Sequence, residues 1–203
     1  MTDLRDEFDA ATRAAFAEPL LGSFPVERVN AQAWGPAWEE LRAVCFPHGA
    51  NRPTKVERIY TPDEREGYAR LLRSLAARPL RHHLLIRDGD GALVGVVRGS
   101  QRPGAEWHMS ITAIKPAYQG RGLYSALLQR LIALMGGIGF RAITSRHHAD
   151  NNAVLVPKLK AGFIISGFDL SPKRGLMVEL CYPLADGLRA AYSYRIDADR
   201  ETS

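Results

Sequence analysis

Residues 111–125 read ITAIKPAYQGRGLYS and join two segments that differ in hydrophobic period. Before the loop, the segment Glu106 to Ile114 alternates between apolar odd positions and polar even positions, which predicts a strand with one apolar face. After the loop, the segment from about Leu123 to Met135 carries apolar side chains at helical spacing and stops at Gly136-Gly137. The stretch therefore predicts a strand, a loop and a helix in that order.

The loop itself has the composition of an anion-binding turn. Gly120 and Gly122 let the backbone turn tightly and approach a ligand closely. The first N–H groups of the following helix lack intrahelical partners and lie at the positive end of the helix dipole, so a pyrophosphate fits there. Arg121 adds a charged donor. Gly-x-Gly also occurs in plain turns into helices, so the motif alone leaves both interpretations open.

Two better-known phosphate motifs are excluded. A P-loop ends in Gly-Lys-Ser/Thr, and this loop does not. The dinucleotide fingerprint needs a third small residue three positions after the second glycine; Ser125 stands there, without a matching acidic partner for a ribose.

The remaining segments predict an α/β fold with a mixed sheet. The turn Asp88-Gly89-Asp90-Gly91 is a strong hairpin signal, and Thr61-Pro62-Asp63-Glu64 has the cap, proline and acidic pair of a helix start. The order is helix, strand, two helices, three strands, helix, strand, helix and two strands. The predicted helices are 3–18, Ala33–Val44, Thr61–Ala77, Leu123–Met135 and Asn151 or Asn152 to Ala161; the predicted strands are Phe24–Val29, His83–Arg87, Ala92–Arg98, Glu106–Ile114, Arg141–Arg146, Phe163–Phe168 and Leu176–Tyr182.

Composition places the chain among ordinary globular proteins. It has 203 residues, a formal net charge of +5 and two cysteines far apart in sequence, which make no disulfide framework. The acidic N-terminal residues lack the apolar core of a signal peptide, and no apolar segment is long enough to span a bilayer, so we expect a cytoplasmic protein without a membrane partner. The basic balance attracts anions, but charge without a recognition motif or an aromatic platform does not indicate nucleic-acid binding.

Paired histidines invite a metal interpretation, which their spacing opposes. The pairs are His82-His83 and His147-His148, and neighbouring residues of a strand face opposite ways. No carboxylate or cysteine stands nearby at ligand spacing, so we expect no metal site.

The stretch Ile111 to Gly122 resembles the signature of the GNAT superfamily of N-acetyltransferases, in which a hydrophobic strand and a proline precede Gln/Arg-x-x-Gly-x-Gly/Ala and a helix. Asn151 and the segment Lys158 to Phe163 resemble the second block of that family, an asparagine followed by a short helix that ends in Gly-Phe. The resemblance covers roughly residues 24–184. It implies three parts: an N-terminal helical extension (1–22), an N-acetyltransferase domain (23–184) and a C-terminal tail (185–203). It also implies a mostly antiparallel mixed sheet flanked by helices, with a splayed strand pair at the cofactor site.

The resemblance further implies acetyl-CoA as co-substrate. The backbone of Ala113 and Ile114 would pair with the pantetheine arm and polarise the thioester carbonyl, and Asn151 would contact the arm from the next strand. Donors aimed at the developing oxyanion would assist direct attack by a neutral amine. The CoA pyrophosphate would be held by the loop amides of Gln119, Gly120, Arg121, Gly122, Leu123, Tyr124 and Ser125.

The sequence departs from the family at three positions. Tyr124 replaces a small residue of the loop and could narrow the approach to it. Lys158 stands where many relatives carry a tyrosine that protonates the leaving thiolate; it either replaces that acid or is a solvated helix lysine. Pro157 lacks a backbone donor and should kink the short helix or delay its start.

His108 stands where relatives use a strand carboxylate as the base. An unperturbed histidine, with a pKa of about 6.5, suits that task, and replacement by glutamine should flatten the acid limb of the rate–pH profile. The alternative is a strand histidine that makes ordinary hydrogen bonds.

These observations predict an acyl-CoA-dependent N-acetyltransferase whose acceptor is a small-molecule or peptide amine. Because relatives use a tyrosine that this chain lacks, a non-catalytic acyl-CoA-binding or sensor module with the same fold is the alternative, and a nucleic-acid-associated acyltransferase is a third. A run of arginines between Arg58 and Arg81 raises the possibility of anionic acceptors. Homodimers are common in the family, although no residue here marks an interface.

Overall fold

The computed structural model of the chain describes residues 4–46, 79–102, 106–172 and 174–184, together with Arg189 and Tyr192. The helix predicted over Thr61–Ala77 and most of the arginine run lie outside the described residues. Among these residues the helices are α1 (Leu4–Ala15), α2 (Ala31–Cys45), α3 (Leu123–Ile138) and α4 (Asn152–Lys160), and Pro116–Tyr118 forms a 3-10 turn. The strands are β1 (Val26–Arg28), β2 (Arg81–Arg87), β3 (Leu93–Arg102), β4 (Glu106–Ile114), β5 (Ala142–His148), β6 (Ile164–Ser171) and β7 (Gly175–Pro183).

The strands form one seven-stranded sheet in the order β1-β2-β3-β4-β5-β7-β6. Only the β4–β5 pair is parallel, and the other neighbours are antiparallel. The crossover between the parallel strands is α3, as a parallel connection requires. The predicted mixed, mostly antiparallel sheet flanked by helices is confirmed.

Helices cover both faces of the sheet. On one face, the main core joins side chains of α1, α3 and α4 to the sheet, among them Phe8, Leu127 and Leu155. On the other face, which we call the α2 face, Trp34 and Leu41 pack against Leu85, Val96 and Ala113. The α2 face is apolar beside α2 and becomes polar toward the first residues of β4.

A β-bulge at Ser110 changes the faces of β4. Arg98 pairs with Ile111 and Gly99 pairs with Met109, so Ser110 is the extra residue. Trp107 and Met109 consequently belong to the main core, whereas Ala113 and Ile111 belong to the α2 face. The prediction of one continuous apolar face at odd positions is therefore wrong, because the extra residue inverts the alternation.

The N-terminal helix α1 is part of the main core. Phe8 and Phe16 are buried in it, and Arg130 of α3 donates hydrogen bonds to the carbonyls of Ala15, Glu18 and Pro19 at the end of α1. None of the described helices is long and apolar enough to cross a membrane.

Candidate functional site

The central feature of the site is a cleft between β4 and β5. The two strands pair only from Glu106↔Ala142 to Met109↔Ser145, although β4 continues beside β3 to Ile114 and β5 continues beside β7 to His148. Beyond Met109 and Ser145 the strands have separated, which leaves one backbone edge of each without a partner strand. We call the point at Met109 and Ser145 the apex of the cleft.

The open edge of β4 is formed by alternate residues. The Lys115 N–H donates to the Val94 carbonyl across β3, so the backbone groups of Ala113 also point toward β3. Those of Thr112 and Ile114 point into the cleft instead. An extended ligand could therefore reach the amide and carbonyl of Thr112 and the amide of Ile114, whereas the Ile114 carbonyl already accepts from the Gln119 side chain and from the Cys45 thiol.

The loop after β4 is held in shape by hydrogen bonds. The Gln119 side chain donates from Nε2 to the Ile114 carbonyl at 2.7 Å. The backbone N–H of Gln119 donates to the Pro116 carbonyl at 3.1 Å. The Tyr118 hydroxyl donates to Asp88 at 2.7 Å, which ties the loop to the β2–β3 hairpin and lowers the pKa of that carboxyl. Since its backbone N–H already has an acceptor, Gln119 positions the loop and does not offer that N–H to a ligand.

The free donors begin at Gly120. Gly120 and Gly122 have φ values of 72° and 82°, a left-handed conformation that favours glycine. Arg121 lies between them, exposed, with its guanidinium 5.5 Å from the Tyr118 ring centroid. Within the described part of the chain, no acceptor exists for the backbone N–H groups of Gly120, Arg121, Gly122, Leu123, Tyr124 and Ser125.

Tyr124 does not stand over this loop. Its ring packs against the main core, its hydroxyl is buried, and burial raises the pKa of the phenol. The Tyr124 side chain therefore does not narrow the approach to the loop, because it packs into the main core.

Helix α4 brings two predicted residues to the β5 side of the cleft. It begins at Asn152, directly after Asn151, and runs through Pro157 to Lys160, so the expected delay of its start by Pro157 is wrong. Asn151 caps the helix with its backbone carbonyl, which accepts from the Leu155 N–H at 3.0 Å, and its side chain makes no capping bond. That leaves the Asn151 amide group available to a ligand.

Lys158 is completely buried at the apex. Its Nζ lies 2.7 Å from the Ser145 Oγ, 3.5 Å from the Met109 Sδ and 4.6 Å from the Phe163 ring centroid. Burial without a carboxylate partner lowers the pKa of Lys158 to about 7. The solvated-lysine interpretation is wrong, and Lys158 is a titrating group at the point where β4 and β5 separate.

His108 lies at the same level on the α2 face. It pairs with Thr144, and its Nδ1 is 3.1 Å from the Thr144 Oγ1. Burial first, and then the charges of Arg102, Lys158 and Arg146, lower its pKa to about 3. The expected unperturbed pKa is wrong, because burial disfavours the charged imidazolium and three cations from other elements add to that effect.

A third imidazole was dismissed at the level of the sequence. His147 of β5 has a buried Nε2 without a hydrogen-bond partner, and burial together with the charge of Lys158 lowers its pKa to about 3. The pair that it forms with His148 suggested a metal site only through its residue type. Among the described residues, no group of three or more potential metal ligands is found.

Comparisons with known proteins identify the family and the fold. The model of the acetyltransferase (GNAT) family matches residues 36–163. The ribosomal-protein-S5-alanine acetyltransferase of Vibrio fischeri has a similar fold, with a TM-score of 0.58 and 16% identity over 80% of this chain and 94% of that one. The ribosomal-protein-S18-alanine N-acetyltransferase of Escherichia coli gives 0.57 and 16%, over 80% and 94%.

A putative acetyltransferase of Salmonella typhimurium, solved with its cofactor acetyl-CoA, gives a TM-score of 0.54 and 18% identity over 80% of this chain and 95% of that one. No curated protein sequence matches the chain.

Proposed function

The chain belongs to the acetyltransferase (GNAT) family, and from that premise we propose that it transfers an acetyl group from acetyl-CoA to the amine of an acceptor. The observation that carries the proposal is the placement of Lys158, a lysine with a pKa of about 7, at the apex of an open cleft. A titrating group in such a position suits proton transfer, because general acids work best when their pKa lies near the operating pH.

The described residues fit acetyl-CoA along the whole cleft. The six free N–H groups that begin at Gly120, with the charge of Arg121, suit a pyrophosphate. The open edge of β4, at the Thr112 backbone and the Ile114 amide, suits the amides of a pantetheine arm. Asn151, between β5 and α4, has a side chain that makes no capping bond and would contact the same arm. Acetyl-CoA would supply the activated acetyl group.

Lys158 is assigned the role of the acid. Near pH 7 about half of its population is protonated at a pKa of about 7, and the ammonium form can donate to a thiolate formed at the apex. Ser145 holds the amine in place through its hydroxyl. In this proposal Lys158 takes both the position and the task of the tyrosine that the family resemblance implies.

His108 is assigned a different role from the predicted base. At a pKa of about 3 the imidazole is neutral at physiological pH and is too weak a base to remove a proton from an ammonium ion efficiently. It can accept a hydrogen bond from a neutral amine that approaches from the α2 face. In the proposed step the C–N bond forms and the C–S bond breaks, Lys158 protonates the sulfur, and the proton that the nitrogen loses passes to solvent water. The two groups therefore lie on opposite sides of the sheet at the apex, with the incoming amine on one side and the leaving sulfur on the other.

Calorimetric titration with acetyl-CoA tests the cofactor site. Arg121→Glu reverses the loop charge at an exposed position that is free of positive-φ constraint, and we expect Kd to rise about tenfold or more because charge-assisted contacts to phosphate are lost. Arg141→Glu, exposed just before the opposite end of β5, is the matched control and should bind as the wild type does.

Release of the CoA thiol over a panel of amines then tests transfer. Binding with no turnover for any acceptor would favour the acyl-CoA-binding module over the enzyme. Absence of acetyl-CoA binding by the folded wild-type chain would overturn the proposal altogether.

A further inference from the structure

A basic cavity adjoins the apex on the α2 face. Its volume is about 300 Å³, and it is lined by Arg81, His83, Arg98, Gly99, Ser100 and Ser110. The sheet register explains this grouping: His83 lies opposite Arg98, Arg81 lies opposite Ser100, and Ser110 is the bulged residue of β4. Ser100 also lies opposite His108, so the cavity and the proposed amine-binding imidazole are neighbours.

The two guanidinium groups have no anionic partner in the part of the chain that the structure describes. No ion pair or hydrogen bond joins the side chain of Arg81 or Arg98 to another described residue, whereas Arg146 on β5 is paired with both Asp169 and Glu179. The cavity wall contains no carboxylate from the described residues. Burial and the charge of Arg81 lower the pKa of Arg98, and burial together with both arginines lowers the pKa of His83. The cavity therefore concentrates uncompensated positive charge.

Arg98 is held in place by aromatic contacts. Its guanidinium carbon lies 5.3 Å from the Trp34 ring centroid, and Trp34 is only 4% exposed and stacks on Trp38 at 5.7 Å. His83 contacts the same indole at 5.5 Å. A guanidinium held over a buried ring loses less conformational freedom when its N–H groups bind a planar anion.

We propose that this cavity binds a carboxylate or phosphate carried by the acceptor and thereby selects amines that bear an anionic group. Arg98 and Arg81 are the specificity-determining residues, and the amine of the bound acceptor would face His108 and the apex. The inference rests on the proposed transfer reaction, which it deepens by naming the class of acceptor.

The first test compares acceptors that differ in one group: phenylalanine with phenylalaninamide for the carboxylate, and phosphoethanolamine with ethanolamine for the phosphate. Arg98→Met keeps the apolar stem on Trp34 and removes the charge. We expect it to raise KM for the anionic member of the preferred pair about tenfold or more, with little change for the neutral member, because a charge-assisted bidentate contact is lost. Arg87→Met, at the other end of β2, is the matched control and should leave both values unchanged.

The second test needs no turnover. Sodium phosphate and sodium acetate are titrated into the free protein while tryptophan emission is recorded, since Arg98 lies over Trp34. The wild type and Arg87→Met should respond to at least one anion, and Arg98→Met should not. Equal responses of wild type and Arg98→Met, or no response of either, would overturn the inference.

The two tests separate the inference from the proposed function. Transfer to neutral or cationic amines that Arg98→Met leaves unchanged would overturn the anion site and leave the acetyltransferase standing. An Arg98-dependent response to anions in a protein that binds acetyl-CoA but acetylates none of the four amines would support the cavity as an anion site and contradict its role in selecting the acceptor.

Discussion

The ε-amino group of Lys158 and the hydroxyl of Ser145 lie 2.7 Å apart at the last paired residue of β5 before the cleft opens. This contact holds the amine of Lys158 at the apex of the cleft, in a surrounding that favours its neutral form. The proposed role of Lys158 as an acid and the expected pH dependence of stability both rest on that placement.

The pH profile of turnover reports Lys158 as the acid. We expect kcat to fall as pH rises above about 7, because the donating ammonium form is lost. Lys158→Met should lower kcat by roughly 10²-fold or more and remove that limb, and Lys158→Tyr should move the limb toward about pH 10. Lys160→Met, exposed two residues further along α4, is the control. An unchanged alkaline limb in Lys158→Met would contradict the assignment.

The same lysine makes stability depend on pH. Its pKa is about 7 in the folded chain against an ordinary value of 10.5, so the unfolded chain binds more protons between these values. Above pH 10.5 the lysine is neutral in both states and its burial does not oppose folding through charge. As pH falls from there toward about 7, the free energy of unfolding decreases by up to about 1.4 kcal/mol per pH unit. Urea unfolding from pH 7 to 9 should show this rise in the wild type and in Lys160→Met, and a flatter curve in Lys158→Met. Parallel curves for all three would contradict the burial of a neutral lysine.

Gly99 is required by the ring beside it. A Cβ at this position would lie 2.6 Å from Nε1 of Trp107 and 2.7 Å from its Cζ2, and the ring is fully buried in the main core. We expect Gly99→Ala to lower the free energy of unfolding by about 1–3 kcal/mol, the cost of an overpacked core. Gly89→Ala, where a Cβ meets nothing within 4 Å, should be nearly neutral. Equal stability of the two variants in urea unfolding would show that the Trp107 ring moves aside.

Local sequence signals predicted the order of the elements and the glycine loop, because turns, caps and hydrophobic periods are properties of neighbouring residues. The splayed strand pair was predicted only from the family resemblance. Three features depended on contacts between distant segments and could not be predicted. The bulge at Ser110 inverts the alternation that was used to assign the faces of β4. The burial of Lys158 depends on Ser145 and Met109, from two other elements. The low pKa of His108 depends first on its own burial and then on charges from three other elements.

The sequence also predicted only part of the basic cavity. Arg81 belongs to the predicted run, whereas Arg98 stands alone on the next strand and becomes its neighbour only through the β2–β3 register. Anionic acceptors were inferred from a helix, but the structure places two guanidinium groups without an anionic partner among the described residues on the sheet.

A hydroxyl–imidazole contact fastens α1 to the sheet. Thr12 donates from Oγ1 to the Phe8 carbonyl at 2.6 Å, so the same oxygen accepts from the His82 Nε2–H at 2.7 Å. Thr12→Val keeps the shape and β-branching but leaves that buried donor unpaired, which should cost about 1–3 kcal/mol of stability. Thr12→Ser keeps the hydroxyl and should retain most of it. If serine proves as damaging as valine in urea unfolding, the methyl group and not the hydrogen bond is the stabilising part.

Paired amide replacements separate the two nitrogens of His108. Asparagine can present a polar atom near the position of Nδ1, which contacts Thr144, while glutamine can present one near Nε2. If Nε2 receives the hydrogen bond of the acceptor amine, His108→Asn and His108→Ala should lower kcat/KM about tenfold, the value of one hydrogen bond, while His108→Gln stays closer to the wild type.

The pH dependence of these variants tests the role of His108 as a base. Because the imidazole titrates at about pH 3, the differences in kcat/KM, measured as thiol release, should be constant from pH 5 to 9. The wild-type profile should contain no inflection that is lost in His108→Gln. An acid limb near pH 6.5 that disappears in His108→Gln would instead establish His108 as the base, which would require a bound acceptor to reverse the effects of burial and of the nearby cations. Wild-type activity in His108→Ala would exclude the residue from the reaction.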